Sequence, residues 1–141
     1  MSRDERRENF GYWLDIASRW ADCDAYGHVN NAQYYSWFDT ALTTMLIERG
    51  VLRGPEGTIG LCIESQCLFH EPIEFPETVN AGVRIGRVGD KSLRYEIGLF
   101  REGHDSPAAT GHFVHVFVDP ATRRPVALSD RQKGAVADLA S

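Results

Sequence analysis

The sequence predicts an α+β domain: one antiparallel sheet of five strands with a single long helix lying across it. Three observations carry this. Apolar residues alternate with polar ones in four separate stretches, and a fifth, strand-like stretch is apolar on both faces. Between the first and second of these, the apolar spacing changes to three- and four-residue steps. Short links rich in turn formers join the later strands. A five-stranded antiparallel sheet has one face to bury, and one long amphipathic helix is enough to cover it.

The first strand is expected at about residues 12–21, with Leu14, Ile16 and Trp20 on one face and Trp13, Asp15 and Arg19 on the other. A polar, glycine-containing link follows, from Asp22 to Asn31. Tyr34, Trp37, Phe38, Ala41, Leu42, Met45 and Leu46 then mark one face of a helix expected at 31–49. Asn30 or Asn31 can cap its start and Gly50 can close its end in a left-handed conformation. In the next strand Ile59, Leu61, Ile63, Ser65, Cys67 and Phe69 share a face. Val79 to Ile85 and Leu93 to Leu99 alternate in the same way. The last strand, 113–118, is apolar on both faces and should be central or covered. Gly89-Asp90 and Glu102-Gly103-His104-Asp105 supply turns, so these neighbours should be antiparallel. Residues from about Ser129 suit a short terminal helix.

The chain has 141 residues, which fits one domain over 1–141, with 1–10 as a loose, charged N-terminal tail. A net charge of -5 and a pI near 5.5 leave no cationic excess for non-specific nucleic-acid binding. The first ten residues have no apolar core, unlike a signal peptide, and no apolar run is long enough to span a membrane. Cys23, Cys62 and Cys67 make an odd count with no framework spacing, as expected of reduced thiols in a cytoplasmic protein. The reading calls for no metal and no cofactor.

The chemistry is expected in the link before the helix. A helix start presents unpaired N–H groups and a partial positive charge, which suits a developing oxyanion. Asp24 lies in the strand-to-helix link, seven residues before Asn31. A carboxylate held there can attack a docked carbonyl or activate water toward it. Gly27 permits a tight turn or close approach of a ligand to the backbone. An aspartate ahead of a helix also commonly serves as a cap or turn residue, and spacing alone does not separate these roles.

The run Trp20-Ala-Asp-Cys-Asp24-Ala-Tyr-Gly-His-Val-Asn-Asn31-Ala-Gln-Tyr34 resembles the signature of the 4-hydroxybenzoyl-CoA thioesterase family of hotdog-fold proteins. The signature is Asp-x-Asp, two residues, Gly-His-Val-Asn-Asn, then an aromatic-rich helix. The order of strand, helix and four strands is also that of the hotdog fold, in which the sheet wraps one long central helix. The resemblance implies an acyl-CoA thioesterase with Asp24 as the catalytic carboxylate and the Asn31 backbone N–H as oxyanion donor. It implies that Asp22 is structural and that Gly27, His28 and Asn30 shape the loop. Asp39 and Glu48 on the helix are the alternative carboxylates, since one branch of these enzymes carries its carboxylate there.

The turn from Arg87 to Ser92 resembles the family's segment for the coenzyme A phosphates, with Arg87, Lys91 and Ser92 as candidates. Tyr34, Trp37 and Phe38 are candidate acyl-pocket residues, with core packing as their other role. An unprotected sheet edge and the family habit of pairing sheets imply a homo-oligomer, dimer or tetramer. A carrier-protein thioester as substrate would call for a basic mouth, which Arg84, Arg87, Lys91 and Arg94 could supply. A hotdog hydratase or dehydratase and a non-catalytic acyl-CoA binder are the remaining alternatives. His112 and His115 sit three apart on a strand and should face opposite ways.

Overall fold

The computed structural model describes residues 1–140. The chain runs β1 (Tyr12–Ala17), α1 (Asn31–Glu48), β2 (Ile59–Phe69), β3 (Thr78–Val88), β4 (Ser92–Arg101), β5 (Ala109–Val118) and α2 (Asp130–Ala135). The strands form one antiparallel sheet in the order β1-β3-β4-β5-β2. This is the hotdog arrangement of strand, long helix and four strands.

The alternation puts Val79, Ala81, Val83, Ile85, Leu93, Tyr95, Ile97 and Leu99 on one sheet face. There they meet the apolar stripe of α1, from Tyr34 to Leu46, in a single core. Asn30 caps α1: its side-chain oxygen accepts the Ala32 amide at 2.9 Å. Gly50 ends the helix with a φ of 69°. No helix is long and apolar enough to cross a membrane.

Three expectations are corrected. β1 stops at Ala17, because the Ser18 amide and hydroxyl both turn to the Glu77 carbonyl; Trp20 then lies in a short 3-10 turn, 73% exposed. In β2 the alternation changes phase at a bulge between Cys62 and Glu64, leaving Ile63 unpaired and 65% exposed. Glu64, Gln66 and Leu68 thereby join the face of Leu61, while Cys62, Ser65 and Cys67 face the helix side. Residues 5–10 are not a loose tail. Phe10 is buried against Trp13 and Phe100 on the outer sheet face, and Arg7 lies over the Trp13 and Phe100 rings. Arg7 also donates to Asn80 Oδ1 and to the Arg101 and His104 carbonyls. The paired residues Gly82 and Gly98 make room for this, since a Cβ on either would sit 2.9 Å from Phe10.

β2 is one edge of the sheet. It is eleven residues long and carries exposed Ile63, Leu68 and Phe69.

Candidate active site

The link between β1 and α1 is built around Asp22 and Asp24. Asp22 is 3% exposed and accepts the Arg19 amide at 2.8 Å and its guanidinium at 2.7 Å. Its backbone carbonyl accepts the Asn30 amide at 2.8 Å. Asp22 thus pins both ends of the loop, in keeping with a structural role.

Inside that loop, Asp24 folds back on its own turn. Its Oδ1 accepts the Tyr26 amide at 2.8 Å and the His28 amide at 3.3 Å, and its own amide donates to the His28 carbonyl at 2.8 Å. Gly27, with φ at 82°, makes the reversal possible. A Cβ there would touch nothing, so the requirement is conformational rather than steric. Both amides go to one carboxylate oxygen, and the other, Oδ2, has no protein partner among the described residues.

At the helix start, the Ala32 and Gln33 amides are taken by Asn30, whereas the Asn31 amide has no protein acceptor among the described residues. Asp24 and Asn31 line the same cleft, about 270 Å³, with His28, Val29, Tyr34, Phe69, His70, Glu71 and Pro72. A residue with an unengaged carboxylate oxygen and one with an unengaged helix-start N–H therefore line one cleft. Such a pair can deliver an attacking group and an oxyanion donor to one carbonyl.

His28 reaches Glu74, with Nε2 3.7 Å from Oε1, and so braces the cleft wall. Tyr34 lines the cleft, stacks on Trp37 and accepts the Ile73 amide at 3.3 Å. Trp37 and Phe38 do not line it; both are core residues under the sheet. The two helix carboxylates are elsewhere. Asp39 borders a separate, open groove with Tyr35, Ser36, Cys62, Ser65 and Phe113, and Glu48 accepts from the Tyr12 hydroxyl at 2.9 Å.

Arg87, Lys91 and Ser92 are not brought to the cleft of their own chain. Ser92 pairs with Val116, whereas the cleft lies at the Thr110 end of β5, about 20 Å away at ~3.3 Å per residue. Arg84 and Arg94 are not free cations either. Both bind Glu96, at 2.8 and 3.0 Å, and Arg84 also holds Glu5. His112 and His115 do face opposite ways: His112 bonds Glu64 at 2.7 Å on the outer face, and His115 lies under the helix against Tyr95.

Sequence reasoning did not single out His70, Glu71 or Pro72. The signal was there, in a polar pair ahead of a proline where the β2 pattern ends. His70 Nε2 sits 2.9 Å from the Thr110 hydroxyl, and burial holds its pKa below the ordinary histidine value.

The family model of the thioesterase-like superfamily matches residues 18–136. The chain belongs to this superfamily. Among solved structures it is similar to the PA5185 protein of Pseudomonas aeruginosa, with 44% identity, 96% of each chain covered and a TM-score of 0.90. It also shares its fold with the gentisyl-coenzyme A thioesterase BH1999, at 24% identity over 88% of this chain and 98% of that one, TM-score 0.76. Among curated sequences it is 23% identical to the YsmA protein of Bacillus subtilis over 134 residues, 94% of this chain and 90% of that one.

Proposed function

We propose that this chain hydrolyses acyl-CoA thioesters to a free carboxylic acid and coenzyme A. The observation that supports this most is the shared cleft, lined both by Asp24, whose Oδ2 is unengaged, and by Asn31, whose N–H is unengaged at the helix start. A thioester carbonyl seated on that amide gains a donor where charge develops as a nucleophile adds. Asp24 then either attacks the carbonyl carbon, expelling the thiolate to leave a mixed anhydride that water cleaves, or takes a proton from attacking water. Oxygen-18 from solvent water bears on the two routes. In a single turnover, label in the Asp24 carboxylate marks covalent attack with the anhydride cleaved at its aspartyl carbonyl, an outcome base catalysis does not give.

The turn carrying Arg87, Lys91 and Ser92 fits this reading in an oligomer. The cleft lies at the Phe69 end of β2, the turn at the Ile59 end. A second copy paired antiparallel along the β2 edge would set its own turn beside this cleft, where Lys91 can meet the coenzyme A phosphates. A dimer would also cover Ile63, Leu68 and the unpaired backbone of the edge.

The test is thiol release from short, long, branched and aromatic acyl-CoAs. Turnover of some member supports the reading, and no turnover by a folded protein contradicts it.

A further inference from the structure

The cleft has an uneven charge. Asp24 and Glu71 supply its carboxyl groups, and His28, His70 and Tyr34 are its other titratable lining groups. Among the described residues, no lysine or arginine lines it. The cation beside Glu71 is Arg101, with Nη1 at 4.0 Å, but its Nε is committed to Glu77 at 2.6 Å. The loop from His70 to Glu77 adds Glu74, which stands against His28. His70 has Thr110 at Nε2, and burial lowers its pKa below the ordinary histidine value, favouring its neutral form.

A thioester carbonyl docked on the Asn31 amide brings the first atoms of its acyl chain into this same space. An alkyl, branched or aromatic group meets Tyr34, Phe69, Val29 and Pro72. A chain ending in its own carboxylate brings a third negative charge into a cleft lined by two others, while Arg101 at its wall is already committed to Glu77 and Arg3, which acts on His70, does not line the cleft. Like charges gathered in one cleft disfavour binding, on the order of several-fold to tenfold. The phosphates of coenzyme A lie at the far end of the pantetheine arm and do not meet this penalty.

We propose, resting on the hydrolytic reading above, that the cleft turns away acyl groups carrying a carboxylate near the thioester, and that Glu71 enforces this choice. Glu71 is positioned for it. Its backbone amide is fixed to the Ala108 carbonyl at 3.0 Å, while its side chain is half-exposed at the cleft wall. It is a specificity residue, distinct from the group that performs the chemistry.

The experiment compares kcat/KM on glutaryl-CoA with that on 5-methylhexanoyl-CoA, which matches it in shape but lacks the charge. The wild type, Glu71→Gln and Glu71→Lys are measured side by side. The proposal expects the wild type to prefer the uncharged thioester. It expects the glutaryl to methylhexanoyl ratio to rise several-fold in Glu71→Gln and further, on the order of tenfold or more, in Glu71→Lys. A ratio that stays the same in both variants, with the uncharged thioester still hydrolysed, overturns the role of Glu71 and leaves the hydrolase standing. No hydrolysis of any acyl-CoA by the wild type overturns the hydrolase and this proposal with it.

Discussion

The amide of Val29 donates to the carbonyl of Ile73 at 2.8 Å, joining the segment that carries Asp24 to the segment that carries Glu71. Cys23 bridges to Val29 on the other side, and the Asn30 amide reaches back to Asp22. Three irregular segments thus lie side by side, held by backbone bonds at the end of the sheet. These bonds fix the cleft walls relative to one another although the three segments that make them are irregular.

Asp22 should matter through position rather than contact with substrate. Its buried carboxylate serves the Arg19 backbone and side chain, and it lies 3.3 Å from the Gln33 amide nitrogen when that amide is turned so its oxygen accepts from Trp37 Nε1 at 3.2 Å. Asp22→Ala takes the buried acceptor from the Arg19 amide and Gln33, while the exposed Arg19 guanidinium turns to water. Urea unfolding should show a loss of about 1–3 kcal/mol. In the same variant kcat should fall more than KM rises.

Gly27 tests the loop by conformation alone. Nothing crowds a Cβ there, so Gly27→Ala costs only the left-handed backbone, roughly 1 kcal/mol. Gly27→Asn should cost less, since asparagine tolerates that region. Activity and the urea midpoint should follow the same order, glycine above asparagine above alanine.

His115 should make the fold sensitive to acid. Burial lowers its pKa in the folded state, with Asp39 opposing, and its Nδ1 has no partner among the described residues. Below the ordinary value of 6.5 the unfolded chain binds a proton that the folded chain resists, so stability falls as pH falls through that point. His70 acts in the same direction. Glu5, held low by its hydrogen bonds to Arg84, gives way only later, below its unfolded value of 4.5. Urea midpoints of wild type and His115→Phe, compared at about pH 7.5 and about pH 5.5, should show a smaller drop in the variant.

Phe10 tests the corrected N-terminal segment. It is 5% exposed and meets Trp13 and Phe100 edge-on at 6.1 and 5.9 Å. Phe10→Ala should destabilise the protein by about 3–5 kcal/mol in urea. A loose tail would give no measurable change.

The fold was legible because its signals are local. The spacing of α1 from Tyr34 to Leu46 and the period of two in β3 and β4 need no knowledge of the partner strand. What failed depended on distant residues. β1 ends early because Glu77, 59 positions away, takes the Ser18 groups. Phe10 and Arg7 pack onto a patch opened by Gly82 and Gly98, which no N-terminal pattern announces. The bulge at Ile63 is set by pairing with β5. The sequence order also conceals that β2 lies at an edge and β3 between β1 and β4.

The site was legible in its first wall only. The run from Asp22 to Asn31 is contiguous, so a motif can capture it. The second wall, Phe69 to Pro72, comes from a loop some forty residues on and meets the first through the Val29–Ile73 bond. Arg84 and Arg94 looked available for a substrate; Arg84 is occupied by Glu5 and Glu96 from other segments, and Arg94 by Glu96 two positions on in its own strand.

The most direct measurement is kcat for acyl-CoA hydrolysis by wild type and Asp24→Asn, with urea midpoints taken on the same samples. An asparagine oxygen can still accept the Tyr26 and His28 amides, so the loop should hold and the midpoint should move little. The account predicts a fall in kcat of roughly 10²–10⁴-fold. A folded Asp24→Asn that hydrolyses its best thioester as fast as wild type would contradict it.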